Sequence, residues 1–394
     1  MRTTVLLFLL IALHTALLVA QIGGLSIGYN EAVILYTDSN FLHYYIQFFV
    51  NSFPYSDLAL RLPMIALHII AFFLLYNISR FYLVKETDRL WLMLIYVLLP
   101  GITSAALVVD PAGIKIVLTF LFVYLFLRFG AYAYLLLPLY LWVDASFFPL
   151  FVAVMLYGLM IKKYSLAVFG GILSLIAYTE SGLNIGGFPH GHFLDALGIY
   201  AAIFSPIVFL YLFYVMYRRF ITNERDLLWL IGAVAFGISI ILSFRQRVEI
   251  QSFAPFLMLI LPLAAQTFFH TYRIRLRMFR KRYQFLFYTA LVILVVNTLA
   301  VFFNQHFYRF LKDPTRHFSY PMHVIKELSV QLHQKDIECV HTDDDRVQLR
   351  LRFYGIGECH RFVLSEHPKK QSDKVTIRYN KSPIYVIYVT KIRN

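Results

Sequence analysis

The segment RIRLRMFRKR, residues 273–282, lies shortly before an apolar run that extends from about 285 to 303. Six of its ten residues are Lys or Arg, and none is acidic. About 20 apolar residues are enough to cross a membrane as a helix, and Lys and Arg collect in cytoplasmic loops. The segment therefore predicts a polytopic membrane protein in which this loop is cytoplasmic and the following span leads outside.

The composition of the whole chain agrees with this prediction. Of its 394 residues, 59% are hydrophobic and only 15% are charged, and its mean hydropathy is +0.65. The apolar runs are continuous and do not alternate, which favours a helical bundle over a β-barrel. We predict an all-α membrane protein with eleven transmembrane helices: 4–21, 62–82, 90–108, 114–129, 131–143, 146–161, 165–180, 197–217, 227–243, 252–270 and 285–303.

The charge distribution sets the orientation of these spans. All five predicted cytoplasmic turns are positively charged, which predicts a cytoplasmic N-terminus and a C-terminal segment outside. The net charge of +14 lies largely in these short clusters, so we expect contact with membrane lipids and no binding of nucleic acid. Residues 1–20 also fit a signal peptide, but we favour an uncleaved first span because many more follow.

Two domains are predicted along the chain. Residues 1–304 form the transmembrane domain, with an interfacial first outer loop at 22–60. Residues 305–394 are more polar and predict a small extracytoplasmic α+β domain, with strands at VQLRLRFY, VTIRY and PIYVIYV. Its cysteines, Cys339 and Cys359, either form a disulfide in an oxidising compartment or remain two free thiols.

Polar and ionisable side chains collect on the predicted outer face. Such groups at a membrane boundary are costly to desolvate and are therefore functional candidates. The sequence places on this face Asn30, Glu31, Asp38, His43, Asp110, Asp144, His190, His192, Arg245 and Arg247, together with Arg61 at the start of the second span. We predict an active site at the outer membrane–water boundary.

The carboxylates are the candidate catalytic groups of this site. Glu31 and Asp38 are seven residues apart and would share one face of a helix, either as a pair of catalytic groups or as the wet side of an interfacial helix. Asp110 precedes Pro111, so it is either functional or the N-cap of the next span. Asn30, His43 and Asp144 are candidate substrate-binding residues.

The basic residues and histidines suggest two kinds of ligand. Arg245 and Arg247 are candidates to bind a donor phosphate. Alternatively, they are ordinary interfacial residues whose side chains snorkel to the membrane surface. Arg61 is a third phosphate candidate, although it lies four residues after Asp57 and could only form a helical ion pair with it. His190 and His192 could hold one divalent metal ion with a carboxylate; otherwise they face solvent and no cofactor is needed.

Several short motifs resemble one known family. YNEAVILY after span 1, SDLALRLP opening span 2 and VVDPAGIKIVLTFLFVYLFLRFG at span 4 are similar to the multi-spanning glycosyltransferases that use lipid-phosphate sugars. The branch with protein O-mannosyltransferases and the lipid A aminoarabinose transferase is the most similar. FRQRVEIQSFAPFLMLILPLAA resembles a later span of that family. The resemblance covers roughly residues 25–180 and, more loosely, 240–270.

The resemblance implies an inverting hexosyl- or pentosyltransferase with a polyprenyl-phosphate sugar as donor. The acceptor would be a lipid, glycan or protein of the cell envelope, and the protein would lie in a bacterial inner (plasma) membrane. The family usually has Asp-Glu after the first span, but this chain has Asn30-Glu31. The family's catalytic Asp is therefore replaced, and its role would pass to Glu31 or Asp38 or be absent.

Two other functions are compatible with the same architecture. A flippase or transporter of lipid-linked sugars would need polar groups on both membrane faces, whereas here they crowd the outer end. A non-catalytic scaffold would explain why Asn30 replaces the expected Asp. We find no P-loop, GxGxxG, HExxH or GxSxG motif in the sequence, so nucleotides are not expected substrates.

Overall fold

The computed structural model describes residues 2–180, 191–309, 313, 315, 317, 319–368, 372–379 and 382–392. The chain divides into two compact units. The helical unit comprises Met1–Ala16, Met64–Leu107 and Pro111–Thr298, and the mixed unit comprises Leu17–Pro63, Val108–Asp110 and Leu299–Asn394. The second unit therefore combines the first loop region with the C-terminal tail, and each unit is described by itself.

Helices dominate the described residues. They are α1 (Arg2–Ile22), α2 (Tyr29–Tyr36), α3 (Phe41–Ser52), α4 (Asp57–Tyr82), α5 (Glu86–Val97), α6 (Pro100–Leu107), α7 (Pro111–Phe129), α8 (Leu137–Val143), α9 (Phe148–Met160), α10 (Tyr164–Glu180), α11 (Phe193–Phe204), α12 (Pro206–Ile221), α13 (Leu227–Ser243), α14 (Ala254–Leu257), α15 (Ile260–Ile274), α16 (Arg277–Phe302), α17 (Ile325–His333) and α18 (Asp345–Phe353). The described strands are β1 (Cys339–Thr342), β2 (Gly357–Ser365), β3 (Ser372–Tyr379) and β4 (Ser382–Lys391).

Several apolar helices could span a membrane by their length and composition, although the predicted count of eleven spans is not confirmed. Five helical stretches within the described residues are long and apolar enough to cross a membrane: Thr3–Ile22, Asp57–Tyr82, Pro111–Val143, Ala254–Ile274 and Arg277–Phe302. The number rises to seven if each of two bent helix pairs forms one span. Three predicted spans correspond to shorter apolar helices, Ala145–Met160, Tyr164–Glu180 and Leu227–Ser243.

Proline marks the start of the second helix in both bent pairs. Pro100 begins α6, which is bent by 60° from α5, and Pro206 begins α12, which is bent by 107° from α11. Proline has no N–H to donate to a carbonyl of the preceding helical turn, and it disfavours the α-helical conformation of the residue before it. Ser205, the residue before Pro206, has a φ of +66°, outside the helical region. The predicted span at 197–217 is therefore not one straight helix, because the chain bends by 107° between α11 and α12.

In the helical unit, helices α9 and α10 pack so closely that their backbones are nearly in contact. A Cβ added at Gly170 would lie 2.7 Å from the Met155 nitrogen, and one added at Gly158 would lie 2.6 Å from the Ala167 nitrogen. Small residues allow membrane helices to approach closely and gain dispersion contacts. These two glycines thus permit the close α9–α10 pairing.

We expect Gly170→Ala to destabilise the protein, because the new methyl group would meet backbone that cannot move aside. Overpacking of this kind costs about 1–3 kcal/mol. Gly171→Ala is a matched control, since its methyl group would meet the Met155 sulfur at an ordinary 3.5 Å. Thermal unfolding of the purified protein in detergent should show a lower midpoint for Gly170→Ala alone. Equal midpoints for the two variants would contradict the backbone-contact explanation.

A four-stranded sheet lies in the C-terminal part of the mixed unit. Its strand order is β1-β2-β4-β3, with β1 and β2 parallel and the other neighbours antiparallel. The predicted strands VTIRY and PIYVIYV lie in β3 and β4. Apolar side chains from α17, α18 and the sheet form a shared core that includes Leu328, Leu332, Val340, Leu351, Ile356, Leu364, Val375, Ile377, Ile387 and Val389.

The predicted strand VQLRLRFY is wrong, because this segment forms helix α18. Its apolar and polar residues alternate as in a strand, but the backbone N–H of Arg346 is bonded to the Asp344 carboxylate at 2.9 Å, which caps a helix. Val347 and Leu351, four residues apart, are both buried. Arg350 and Arg352 lie in the last turn, where cations favour the helix dipole.

The cysteine question is resolved in favour of a disulfide. Cys339 on β1 is bonded to Cys359 on β2, and their Cα atoms are 5.4 Å apart. Because β1 is a four-residue strand at one edge of the sheet, the bond fastens the least supported strand to its neighbour.

Candidate functional site

Glu31 is the first candidate residue, and its carboxylate is buried and fully engaged. It lies in the first turn of α2 with a side-chain exposure of 1%. Its Oε2 accepts hydrogen bonds from the Gly28 N–H at 2.7 Å and from Arg61 at 3.2 Å, and its Oε1 accepts one from the Val109 N–H at 2.8 Å. Three donors of this kind occupy both oxygens of the carboxylate.

Arg61 is the centre of a polar network in the mixed unit. Its guanidinium is completely buried and donates to the Ser26 carbonyl at 2.9 Å as well as to Glu31. It also lies 3.7 Å from Asp57, four residues earlier on α4. The predicted helical ion pair is therefore present, but a second buried carboxylate shares the same arginine.

Asp57 connects this arginine to the C-terminal segment of the same unit. The Lys326 ammonium lies 2.7 Å from one Asp57 oxygen, and the Tyr354 hydroxyl donates to the other at 2.8 Å. The same hydroxyl accepts the Ile27 N–H at 3.0 Å. Burial and the Asp57 charge raise the pKa of Tyr354 above its ordinary value, so the phenol remains a neutral donor.

We name these five side chains the Arg61 network: Glu31, Asp57, Arg61, Lys326 and Tyr354. Two carboxylates face two cations, so the formal charges within the network balance. Buried ion pairs of this kind require full hydrogen bonding to offset the cost of desolvation. The contacts are those of a network that fixes loop segments, and they favour a positioning role for Glu31 and Arg61.

Asp110 is held next to this network through its neighbour in the chain. Glu31 binds the N–H of Val109, and Asp110 follows immediately, before α7 begins at Pro111. Unlike Glu31, Asp110 is partly exposed. The structure thus brings the residue before Asp110 into contact with Glu31, from a chain position almost 80 residues away.

Asp38 and His43 are placed differently from the prediction. Helix α2 ends at Tyr36, so Asp38 lies beyond it and does not share a helix face with Glu31. The amide of Asn40 donates to the Asp38 carboxylate at 3.3 Å. His43 is buried with its Nδ1 2.8 Å from the Ile34 carbonyl, a contact that joins α3 to α2. Asn30 is exposed on α2.

A second charged group lies within the helical unit. The Lys115 ammonium on α7 is 3.4 Å from the Asp144 carboxylate and 3.3 Å from the Ser252 hydroxyl. Asp144 also accepts the Ser146 N–H at 2.8 Å and so caps the 3-10 turn Ala145–Phe147. Asp144 therefore has a protein cation as its partner, and Lys115 is a site residue that the sequence analysis did not identify.

The predicted phosphate-binding arginines and metal-binding histidines do not cluster into one site within the described residues. Arg245 and Arg247 are exposed in the connection between α13 and the 3-10 turn Ile250–Ser252. His192 Nδ1 lies 3.6 Å from Asp195, and His190 lies outside the described residues. Among the described residues, no three His, Cys, Asp or Glu side chains are grouped to hold a metal ion.

Some of the residues missed by the sequence analysis had a recognisable signal. Lys115 is a lone charge inside an apolar run, which is a functional indicator in a membrane helix. Lys326 and Tyr354 had no such signal, because they contact Asp57 from more than 250 residues further along the chain.

Comparison of the chain with protein-family models gives no match, and no curated protein matches it. The resemblance to lipid-phosphate-sugar transferases therefore stays a prediction that depends on the motifs quoted above.

Proposed function

We propose that this protein is an integral-membrane glycosyltransferase that moves a sugar from a polyprenyl-phosphate donor to a lipid, glycan or protein acceptor. One observation carries this proposal: the buried carboxylate of Glu31 binds the Val109 N–H and so fixes Asp110 at the start of an apolar helix. A fixed, partly exposed carboxylate beside a membrane-spanning segment suits a reaction whose donor is a lipid.

Asp110 is the group we assign as general base. It would take the proton from an acceptor hydroxyl or amine as that atom attacks the anomeric carbon. The bond between this carbon and the phosphate oxygen breaks in the same step, the configuration inverts, and polyprenyl phosphate leaves with its electron pair. Glu31 already accepts three hydrogen bonds, so we assign it and Arg61 to positioning Asp110.

The location of the reaction is part of the proposal. We place the mixed unit on the outer face of a bacterial plasma membrane, with the N-terminus in the cytoplasm. The Cys339–Cys359 disulfide supports this orientation, because disulfides persist mainly in oxidising compartments. The positive turns of the sequence support it independently.

The test is a transfer assay with purified protein, radiolabelled undecaprenyl-phosphate sugars and cell-envelope acceptors. We expect Asp110→Asn to lower the transfer rate by about 100-fold or more, since general bases contribute that much. Asp373→Asn is the matched control, because Asp373 lies in the same unit with 78% of its side chain exposed. The control should transfer at the wild-type rate.

Two outcomes would contradict the proposal. Equal rates for Asp110→Asn and wild type would remove Asp110 as the base. If the wild-type protein moves label to no acceptor, the transferase function itself fails. Movement of the intact labelled lipid across reconstituted vesicles would then favour the flippase alternative, and absence of both activities would favour a scaffold.

A further inference from the structure

Lys115 is a buried cation in an apolar helix, α7. Its side chain is only 4% exposed, and it belongs to a helical stretch, Pro111–Val143, that is long and apolar enough to cross a membrane. A charge in such a place is costly unless it is paired, and it is a functional candidate by default. The partners of the Lys115 ammonium and their distances therefore decide whether its charge is fully compensated.

The polar contacts of this ammonium are long. Asp144 Oδ2 lies at 3.4 Å and Ser252 Oγ at 3.3 Å, whereas charge-assisted N–H···O contacts are typically about 2.7–2.9 Å. Among the described residues these are its two polar partners, and an ammonium has three N–H donors. Asp144 is 29% exposed, so the site is open on the side of its carboxylate.

All three side chains lie at the ends of their elements. Lys115 is the fifth residue of α7, about 6 Å from the helix start, and its stem points back toward that start. Asp144 follows the last residue of α8, and Ser252 ends a 3-10 turn. The connection before this turn carries Arg245 and Arg247. Helix ends of membrane proteins lie at the hydrocarbon boundary, where lipid phosphates also lie.

We propose that Lys115 binds the phosphate of a polyprenyl-phosphate lipid, with Ser252 as a second donor and Asp144 as the counter-ion when no lipid is bound. A phosphate oxygen would take the place of the Asp144 carboxylate as the charge partner of the ammonium. This assignment rests on the proposed function for the identity of the lipid. It adds a buried phosphate-binding residue to the exposed arginines predicted from the sequence.

The experiment measures binding of undecaprenyl phosphate, which carries no sugar, to the full-length protein in detergent. We expect Lys115→Gln to weaken binding by about 10-fold or more, because a hydrogen bond to a charged group contributes about 1.5–3 kcal/mol. Lys115→Arg should retain binding. Lys163→Gln is the matched control, since Lys163 is exposed in the helical unit, and it should bind as the wild type does.

Asp144→Asn separates a binding role from a structural one. If Asp144 competes with the phosphate for Lys115, its neutralisation should leave binding unchanged or strengthen it. If the pair only holds α7 to the neighbouring turns, Asp144→Asn and Lys115→Gln should lose binding and thermal stability together, which would overturn the proposal. Binding of Lys115→Gln at wild-type affinity would also overturn it.

A competition experiment identifies the source of the phosphate. Excess phosphatidylglycerol should not displace undecaprenyl phosphate if the site recognises a terminal phosphate on a polyprenyl chain. Equal competition by phosphatidylglycerol would reassign Lys115 to general headgroup contact and overturn the proposal. Because no sugar is transferred in these assays, their result is independent of whether the transferase assay succeeds.

Discussion

Replacing Arg61 with methionine is expected to lower the free energy of unfolding of the mixed unit by about 3–5 kcal/mol, the usual cost of removing one partner from a buried ion pair. The substitution keeps an apolar stem of similar length but leaves the Glu31 and Asp57 carboxylates, 1% and 10% exposed, without their shared cation. The Ser26 carbonyl also loses its guanidinium donor. Glu31 keeps the Gly28 and Val109 N–H donors, and Asp57 keeps Lys326 and Tyr354. The expected loss therefore comes from the missing charge of a buried arginine.

Thermal unfolding of the purified protein in detergent would measure this effect. Arg378→Met is the matched control, because Arg378 is exposed on β3 of the same unit. A Glu31→Gln and Arg61→Met double variant should recover part of the loss, since it removes one uncompensated carboxylate together with the arginine. The network would lose its assigned role if Arg61→Met and the control unfolded at the same temperature.

Converting Cys339 and Cys359 together to serine is expected to cost about 3 kcal/mol, because the bond closes a loop of about 20 residues in the unfolded chain. The sequence separation of the two cysteines is 20 residues. The loss should be concentrated in β1, which is only four residues long and pairs with β2 alone in the described sheet.

Hydrogen exchange of the backbone would locate this loss. We expect faster exchange at Cys339–Thr342. The exchange rates of β3 and β4 should not rise, because these strands pair with each other over the full length of β3. Reduction of the wild-type protein should reproduce the pattern without any substitution. Uniformly faster exchange across all four strands would instead mean that the bond supports the whole sheet.

Local patterns in the sequence predicted local structure well. Long apolar runs correctly located α1, α4 and α16, because a continuous run of sufficient length has few alternatives in a membrane. The prediction was wrong where two local signals competed. In VQLRLRFY the alternation of side chains fits a strand, but the Asp344 cap and the buried positions 347 and 351 make it a helix.

Only part of the candidate site could be predicted from the sequence. Glu31, Asp110 and Arg61 were candidates because a charged group at a membrane boundary is conspicuous. Their geometry was not predictable, since it depends on Val109 reaching Glu31 and on Lys326 reaching Asp57 from distant chain positions. The Asp57–Arg61 pair follows from residue spacing, but the sharing of Arg61 with Glu31 is a tertiary feature with no counterpart in spacing.

The mixed unit is assembled from chain segments that leave the ribosome at very different times. Residues 17–63 and 299–394 are separated by the stretch from 64 to 298, which takes on the order of 10–50 s to synthesise at about 5–20 residues per second. During this interval Glu31 can already meet Arg61 and the Gly28 N–H, whereas Asp57 must wait for Lys326 and Tyr354. A nascent chain arrested before residue 326 would therefore hold three of the five side chains of the Arg61 network, and synthesis of the segment with Lys326 and Tyr354 would be the step that completes it.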